Sequence, residues 1–261
     1  MKILLLADYW GGYEITKFLK ERNENIVGLG VHPPRMEGHL NKGYTKKIIE
    51  TLNLPKDRIF DGDRIQSGEC LDDIKRLNPD IILAIYWGFL LKPELIRIPP
   101  RGCVNIHLAY LPYNRGKNPN VWPIIEGTPG GVTMHYIDEG IDTGDIIAQS
   151  RIPAESIDTA ETLYNKIIRE SVELFKRTWP DIKNGTTSRV KQDESKTTSH
   201  YAKDLRKLDL IDLDRKYTAR ELINILRART FPPHPSAYFV DENGRKVYVR
   251  VQLENAEDDR A

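Results

Sequence analysis

The chain is predicted to be an α/β protein: a mostly parallel, twisted sheet flanked by helices, followed by a small α+β appendage. Three observations predict this. Short apolar runs at 3–7, 26–31, 81–85 and 103–108 alternate with amphipathic stretches at 14–20, 44–52 and 71–77, the rhythm of β-α-β units. The first run, I-L-L-L-A, is apolar at every position, as a strand covered on both faces requires. Composition then shifts after Ile182, and a second, shorter set of elements lies beyond.

In order, residues 3–7 form a strand, and Asp8-Tyr9-Trp10-Gly11-Gly12 breaks it. A helix at 14–20 turns Ile15, Phe18 and Leu19 inward. The strand at 26–31 stops at Pro33 and Pro34, and a helix at 44–52 carries Ile48, Ile49 and Leu52. A short strand at 58–60, a helix at 71–77 and strands at 81–85 and 103–108 follow. Two more strands, 131–137 and 146–152, flank an acidic turn. A long helix then sets Ala160, Leu163, Tyr164, Ile167, Ile168, Leu174 and Phe175 on one face. Asp158 and Glu161 have capping-box spacing at its start, and Pro180 is expected to end it.

Residues 183–199, rich in Gly, Thr, Ser, Lys and Gln, have the composition of a linker or mobile loop. They divide the chain into a domain at 1–182 and a C-terminal subdomain at 200–261. There, Thr218 and Glu221 make a capping box, and Tyr217 with Leu222 a hydrophobic staple, for a helix burying Leu222, Ile225 and Leu226. After the break at 230–234, residues 237–240 and 246–251 form a hairpin with an Asn-Gly turn.

Composition narrows the function. The 261 residues carry 39 Lys and Arg against 38 Asp and Glu, a net charge of +1. That balance gives no argument for nucleic acid or an anionic membrane. No apolar run approaches the ~18–20 residues of a membrane span, and the N-terminal run is too short for a secretory signal. The cysteines, Cys70 and Cys103, lack metal-ligand spacing, which fits a reduced, cytoplasmic compartment.

Ligands of parallel sheets sit at the carboxyl ends of the strands. Residues 8–12, 86–90 and 105–117 fall there. G-x-G-x-x-G is absent after the first strand, which disfavours a nicotinamide cofactor. Asn105 and His107 lie two apart on one strand and so point to one side. An amide and an imidazole together can stabilise an oxyanion and move a proton; the pair also fits two polar residues bonded to the next loop. Asp142 sits in D-E-G-I-D-T-G-D, a turn that departs from the calcium-loop pattern. It could orient His107, or belong to an ordinary acidic hairpin. Arg115 and Lys117, in a Gly/Pro loop, suit a phosphate or carboxylate ligand, or are a solvated basic loop. His135 reads as structural, and no histidine or cysteine set has metal spacing.

Taken together, N-I-H, L-P-Y-N-R-G and D-E-G-I-D-T-G-D-I resemble the folate-dependent formyltransferases over about residues 1–180. The loop L-P-Y-N-R-G-K-N-P-N-V-W-P and the tail segment L-R-A-R-T-F-P-P-H are similar to the sugar-nucleotide branch. The usual family loop S-L-L-P-x-Y-R-G is replaced here by A-Y-L-P-Y-N-R-G.

The resemblance implies a Rossmann-like formyltransferase fold, with Asn105, His107 and Asp142 at the catalytic positions. Tyr86, Trp87, Gly88, Phe89 and Leu90 would line the pterin pocket, with Asp138, Glu139 and Gly140 as its opposite wall. The co-substrate implied is N10-formyltetrahydrofolate, with no metal. The acceptor would be a nucleotide-linked amino-dideoxy sugar, its amine at position four, serving surface glycan (lipopolysaccharide O-antigen) synthesis. Candidate contacts to it are Tyr113, Asn114, Arg115, Lys117, Trp122 and Phe231. A homodimer is expected. The alternatives are another amine acceptor (methionyl-tRNA, an amino acid or a peptide starter) or a non-catalytic folate or nucleotide binder.

Overall fold

The computed structural model describes residues 1–256. Its elements in chain order are β1 (Lys2–Ala7), α1 (Tyr9–Glu21), β2 (Asn25–Val31), α2 (Tyr44–Leu52), β3 (Ile59–Asp61), α3 (Gly68–Leu77), β4 (Ile81–Ile85), α4 (Pro93–Ile96) and β5 (Cys103–His107). Then come β6 (Arg115–Gly116), α5 (Trp122–Glu126), β7 (Gly131–Tyr136), β8 (Ile146–Arg151), α6 (Ala160–Asn184), β9 (Ser199–His200), α7 (Ala202–Arg206), α8 (Ala219–Ala228), β10 (Tyr238–Val240) and β11 (Lys246–Tyr248). The main sheet has the order β3-β2-β1-β4-β5-β7-β8. The first five of these strands pair in parallel, and β7 and β8 join antiparallel. This is the α/β sheet flanked by helices that the alternating pattern predicts.

The side-chain period of two explains why β1 is apolar throughout. Ile3, Leu5 and Ala7 pack into the core shared with Ile15, Leu19, Phe175 and Trp179. Leu4 and Leu6 pack on the other face with Phe60, Ile65, Ile74 and Leu95. Both faces are therefore dry. Cys103 is buried in the second core, which pushes its thiol pKa up to about 12.

Several boundaries differ from expectation. Helix α1 starts at Tyr9, directly after β1, and takes Gly11 and Gly12 into its first turns. The capping box of α6 is Thr159 with Thr162, one residue past the expected Asp158 and Glu161. Pro180 lies inside α6, which runs on to Asn184 and a left-handed Gly185. Arg101 donates from Nη2 to Ile182 O (2.6 Å) and from Nη1 to Lys183 O (2.9 Å), so the last carbonyls are satisfied by another element. In α8, Leu222, Ile225 and Leu226 are only half-buried. The hairpin loop spans Glu242, Asn243 and Gly244, with only Gly244 left-handed, because Val240 pairs with Lys246.

Residues 186–200 do not hang free. Val190 exchanges backbone hydrogen bonds with Ile146, and Ser199–His200 pairs in parallel with Arg115–Gly116. Among the described residues no helix is long and apolar enough to cross a membrane.

Candidate active site

The site forms where β5 and β7 meet. Their antiparallel register sets Asn105 opposite His135, and His107 opposite Thr133. Opposite residues share a face, so Asn105 Nδ2 reaches His135 Nε2 at 3.0 Å. His135 Nδ1 lies 2.8 Å from Tyr136 O. A carbonyl only accepts, so Nδ1 carries the proton and Nε2 accepts from Asn105. Burial, reinforced by His107, outweighs the pull of Asp142 and lowers the His135 pKa to about 4. The ring is therefore neutral near pH 7.

His107 is held at both nitrogens. Nε2 donates to Asn114 O (3.0 Å), and Nδ1 lies 3.6 Å from Asp142 Oδ2. Each ring nitrogen thus faces an oxygen. Asp142 Oδ1 stands 3.6 Å from His135 Nε2, and Gly116 N donates to Asp142 Oδ2 (2.9 Å). Burial raises the Asp142 pKa, but the two imidazoles, the Gly116 N–H and Lys117 outweigh it and hold the carboxyl below its ordinary value. Asp142 has φ +54°, a left-handed conformation costing a non-glycine residue roughly 1–2 kcal/mol. Gly116, with φ +92°, passes so close to His200 O that a Cβ there would collide.

These groups line one cleft of about 870 Å³. The 86–90 loop forms one wall. Gly88 N donates to His32 Nε2 (2.9 Å), and His32 Nδ1 donates to the buried Asp8 Oδ2 (2.6 Å), which anchors the loop from beneath. The Tyr86 hydroxyl bonds Ser171 Oγ, and its ring covers Gly11. Trp87 lies against His32, with ring centroids 4.9 Å apart. Leu90 is 70% exposed at the rim. Asp138 and Gly140 border the cleft, whereas Glu139 turns away to Arg97 (2.7 Å).

The expected acceptor contacts divide. Arg115, Lys117 and Phe231 line the cleft; Tyr113, Asn114 and Trp122 do not. Arg115 is 5% exposed, with its guanidinium on Glu194 (2.7 and 3.1 Å) and Gln192 (2.7 and 3.1 Å). Asn114 is buried and bonds Thr128 and Thr198. Trp122 donates to Lys117 O (3.0 Å) and stacks on His200 at 3.8 Å, so it supports the wall from behind. Residues that sequence reasoning missed include His135, Gln192, His200 and the lining residues Tyr9, Tyr164 and Arg206. Only the strand register could have linked His135 to Asn105.

An amide with an N–H to spare, an imidazole beside a carboxylate and a ligand cleft at the sheet end form a centre suited to acyl transfer. Comparison with known proteins agrees. The Formyl transferase family matches residues 11–178, and the N-formyltransferase dimerization C-terminal domain matches 204–255. A methionyl-tRNA formyltransferase of Clostridioides difficile (strain 630) is 33% identical over 222 residues, covering 84% of this chain and 69% of that enzyme. A 4-N formyltransferase from Francisella tularensis is 30% identical, with TM-score 0.77 over 97% of this chain and 98% of that one. The formyltransferase PseJ from Anoxybacillus kamchatkensis, solved with UDP-4,6-dideoxy-4-formamido-L-AltNAc and tetrahydrofolate, is 27% identical, with TM-score 0.57 over 79% and 89% of the two chains. The chain belongs to the formyl transferase family, and it is a formyl-transferring enzyme.

Proposed function

We propose that the protein transfers a formyl group from N10-formyltetrahydrofolate to the amino group of a nucleotide-linked amino-dideoxy sugar. One observation carries this reading: Asn105, His107 and Asp142 share a single cleft with the 86–90 loop and with residues of the C-terminal part. The UDP-linked sugar solved with the Anoxybacillus enzyme supports a sugar acceptor, and the near full-length likeness to the Francisella 4-N formyltransferase supports formyl transfer to nitrogen.

The walls fit a folate. Leu90 and Ile141, 70% and 43% exposed, present apolar surface at the cleft from the 86–90 loop and the 138–142 turn. When bound, N10-formyltetrahydrofolate supplies the formyl carbon. Asn105 offers its second amide N–H to the acyl oxygen as negative charge builds there. His107, oriented by Asn114 O and Asp142, adds its imidazole dipole beside that oxygen. Asp142, ionised at neutral pH, accepts the proton shed by the attacking amine and returns it to the departing nitrogen. Lys117 and Arg206, both exposed cations lining the cleft without an ion-pair partner among the described residues, suit the diphosphate. Phe231 and Tyr164, with ring centroids 5.4 Å apart, offer aromatic surface to the sugar. The acting form is a homodimer through the C-terminal part, and no metal takes part.

A second reading, formylation of methionyl-tRNA, is favoured by the 33% identity to enzymes of that kind. One assay separates them. The protein is incubated with N10-formyltetrahydrofolate and either methionyl-tRNA or dTDP-, UDP- and GDP-linked 4-amino-4,6-dideoxyhexoses, and product mass is followed. A formylated sugar is expected. Formylated methionyl-tRNA alone, or deformylation without a formylated amine, would overturn the sugar assignment. His107→Ala and Asp142→Asn are expected to lower turnover by roughly 10²–10⁴-fold.

A further inference from the structure

The segment 186–200 carries a side chain that sequence reasoning left unassigned. Gln192 Nε2 donates to Asp142 O (2.8 Å) and to Gly144 O (2.8 Å). Its Oε1 accepts from Arg115 Nε (3.1 Å) and Nη2 (2.7 Å). The amide orientation is unambiguous, because carbonyls only accept and a guanidinium only donates. Arg115 in turn is locked by both oxygens of Glu194. The next residue, Gly116, donates its N–H to the Asp142 carboxylate. One half-buried amide therefore joins the turn that carries the carboxylate to the loop that binds it.

The arrangement has a physical need. Asp142 sits in a left-handed backbone conformation beside Gly144. A turn of this kind relaxes unless neighbouring contacts hold it. The main chain within the turn leaves the Asp142 and Gly144 carbonyls to Gln192. If they were released, the carboxylate would swing relative to His107 Nδ1, 3.6 Å away.

We propose that Gln192 is a positioning residue for Asp142: it fixes the distance between that carboxylate and His107 by tying the 138–144 turn to Arg115. Gln192 touches no reacting atom. The proposal rests on the catalytic reading of Asp142. Because Gln192 lies on the segment leading from α6 into the C-terminal part, the catalytic carboxylate is held by the connection between the two.

Two variants test it. Gln192→Met loses both sets of bonds; Gln192→Glu keeps the acceptor for Arg115 but cannot donate to the carbonyls. Both are expected to lower kcat by roughly 10- to 100-fold, as small misplacements of catalytic groups do, with KM for the folate nearly unchanged. The second readout is the set of His107 ring chemical shifts at one fixed pH, followed by NMR in the full-length protein without substrate. The groups that bear on this ring are Asp142, 3.6 Å from Nδ1, and the His135 ring. Moving Asp142 should change these shifts in both variants. Glu194→Gln, which leaves Gln192 in place, should change them less.

A reduced melting temperature with kcat and the His107 ring shifts unchanged would assign Gln192 to stability alone and overturn the proposal. So would unchanged ring shifts in Gln192→Glu if Gln192→Met does not fold. The ring shifts need no turnover. An active Asp142→Asn enzyme would therefore count against the functional reading, while the Gln192 link would still be decided by the spectra.

Discussion

At the scale of single residues, the site depends on which proton sits where. His135 must stay neutral to accept from Asn105. Its pKa falls from an ordinary 6.5 to about 4, chiefly through burial. Between those values the unfolded chain binds a proton that the folded chain refuses. Stability is therefore complete above pH 6.5 and is lost as pH falls toward 4. The loss is roughly 3 kcal/mol at its limit. Carboxylates contribute to acid unfolding too, so the measurement is a difference. His135→Gln keeps a donor and an acceptor but cannot titrate. Chemical denaturation of both proteins should show wild type losing more stability across this window, and parallel curves would contradict the buried, neutral state assigned to His135.

At the scale of elements, α6 shows packing overriding a local rule. A proline in a helix interior costs about 3 kcal/mol, yet α6 continues past Pro180. Trp179 and Ile182 on either side are 1% and 3% exposed in the main core. Trp179 Nε1 also donates to Glu24 Oε1 (2.9 Å), and Arg101 closes the helix end. Trp179→Ala should cost about 3–5 kcal/mol in urea unfolding, the usual range for a buried tryptophan. A loss below about 1 kcal/mol would mean that the core does not hold the last turn. The 86–90 loop follows the same logic: its wall is set by the Asp8–His32 pair and by Ser171, none of which its own sequence announces.

At the scale of the whole molecule, the C-terminal part leaves apolar surface uncovered. Leu213 is 64%, Leu210 52%, Tyr248 51% and Ile223 47% exposed. These residues fall within the region matching the dimerization domain, and a shared apolar face is what a two-fold dimer buries. On the proposed homodimer, wild type is expected to sediment as a dimer and the double variant Leu213→Asp, Tyr248→Asp as a monomer. A variant that remains dimeric would place the interface elsewhere. The half-burial of Leu222, Ile225 and Leu226 is part of the same pattern, since α8 has more apolar surface than the rest of the chain covers.

The sequence by itself determined the sheet and the cluster. Short apolar runs alternating with amphipathic stretches fit strands covered on both faces, and period two places Asn105 and His107 on one side of a strand end. The glycines around Asp142 likewise mark a turn, where a Cβ on Gly140 or Gly144 would collide with Thr143 or with the Tyr136 carbonyl. What the tertiary structure alone decided is who holds those groups. His135 meets Asn105 through cross-strand register. Arg115 turns from a free cation into a buried anchor because Glu194 and Gln192 come back from almost eighty residues away. Pro180, itself exposed, fails to stop α6 because Trp179 and Ile182 on either side are buried in the main core and Arg101 caps the helix end. Local patterns encode periodicity and turn chemistry, whereas contacts between segments far apart in the chain exist only once the fold has brought them together.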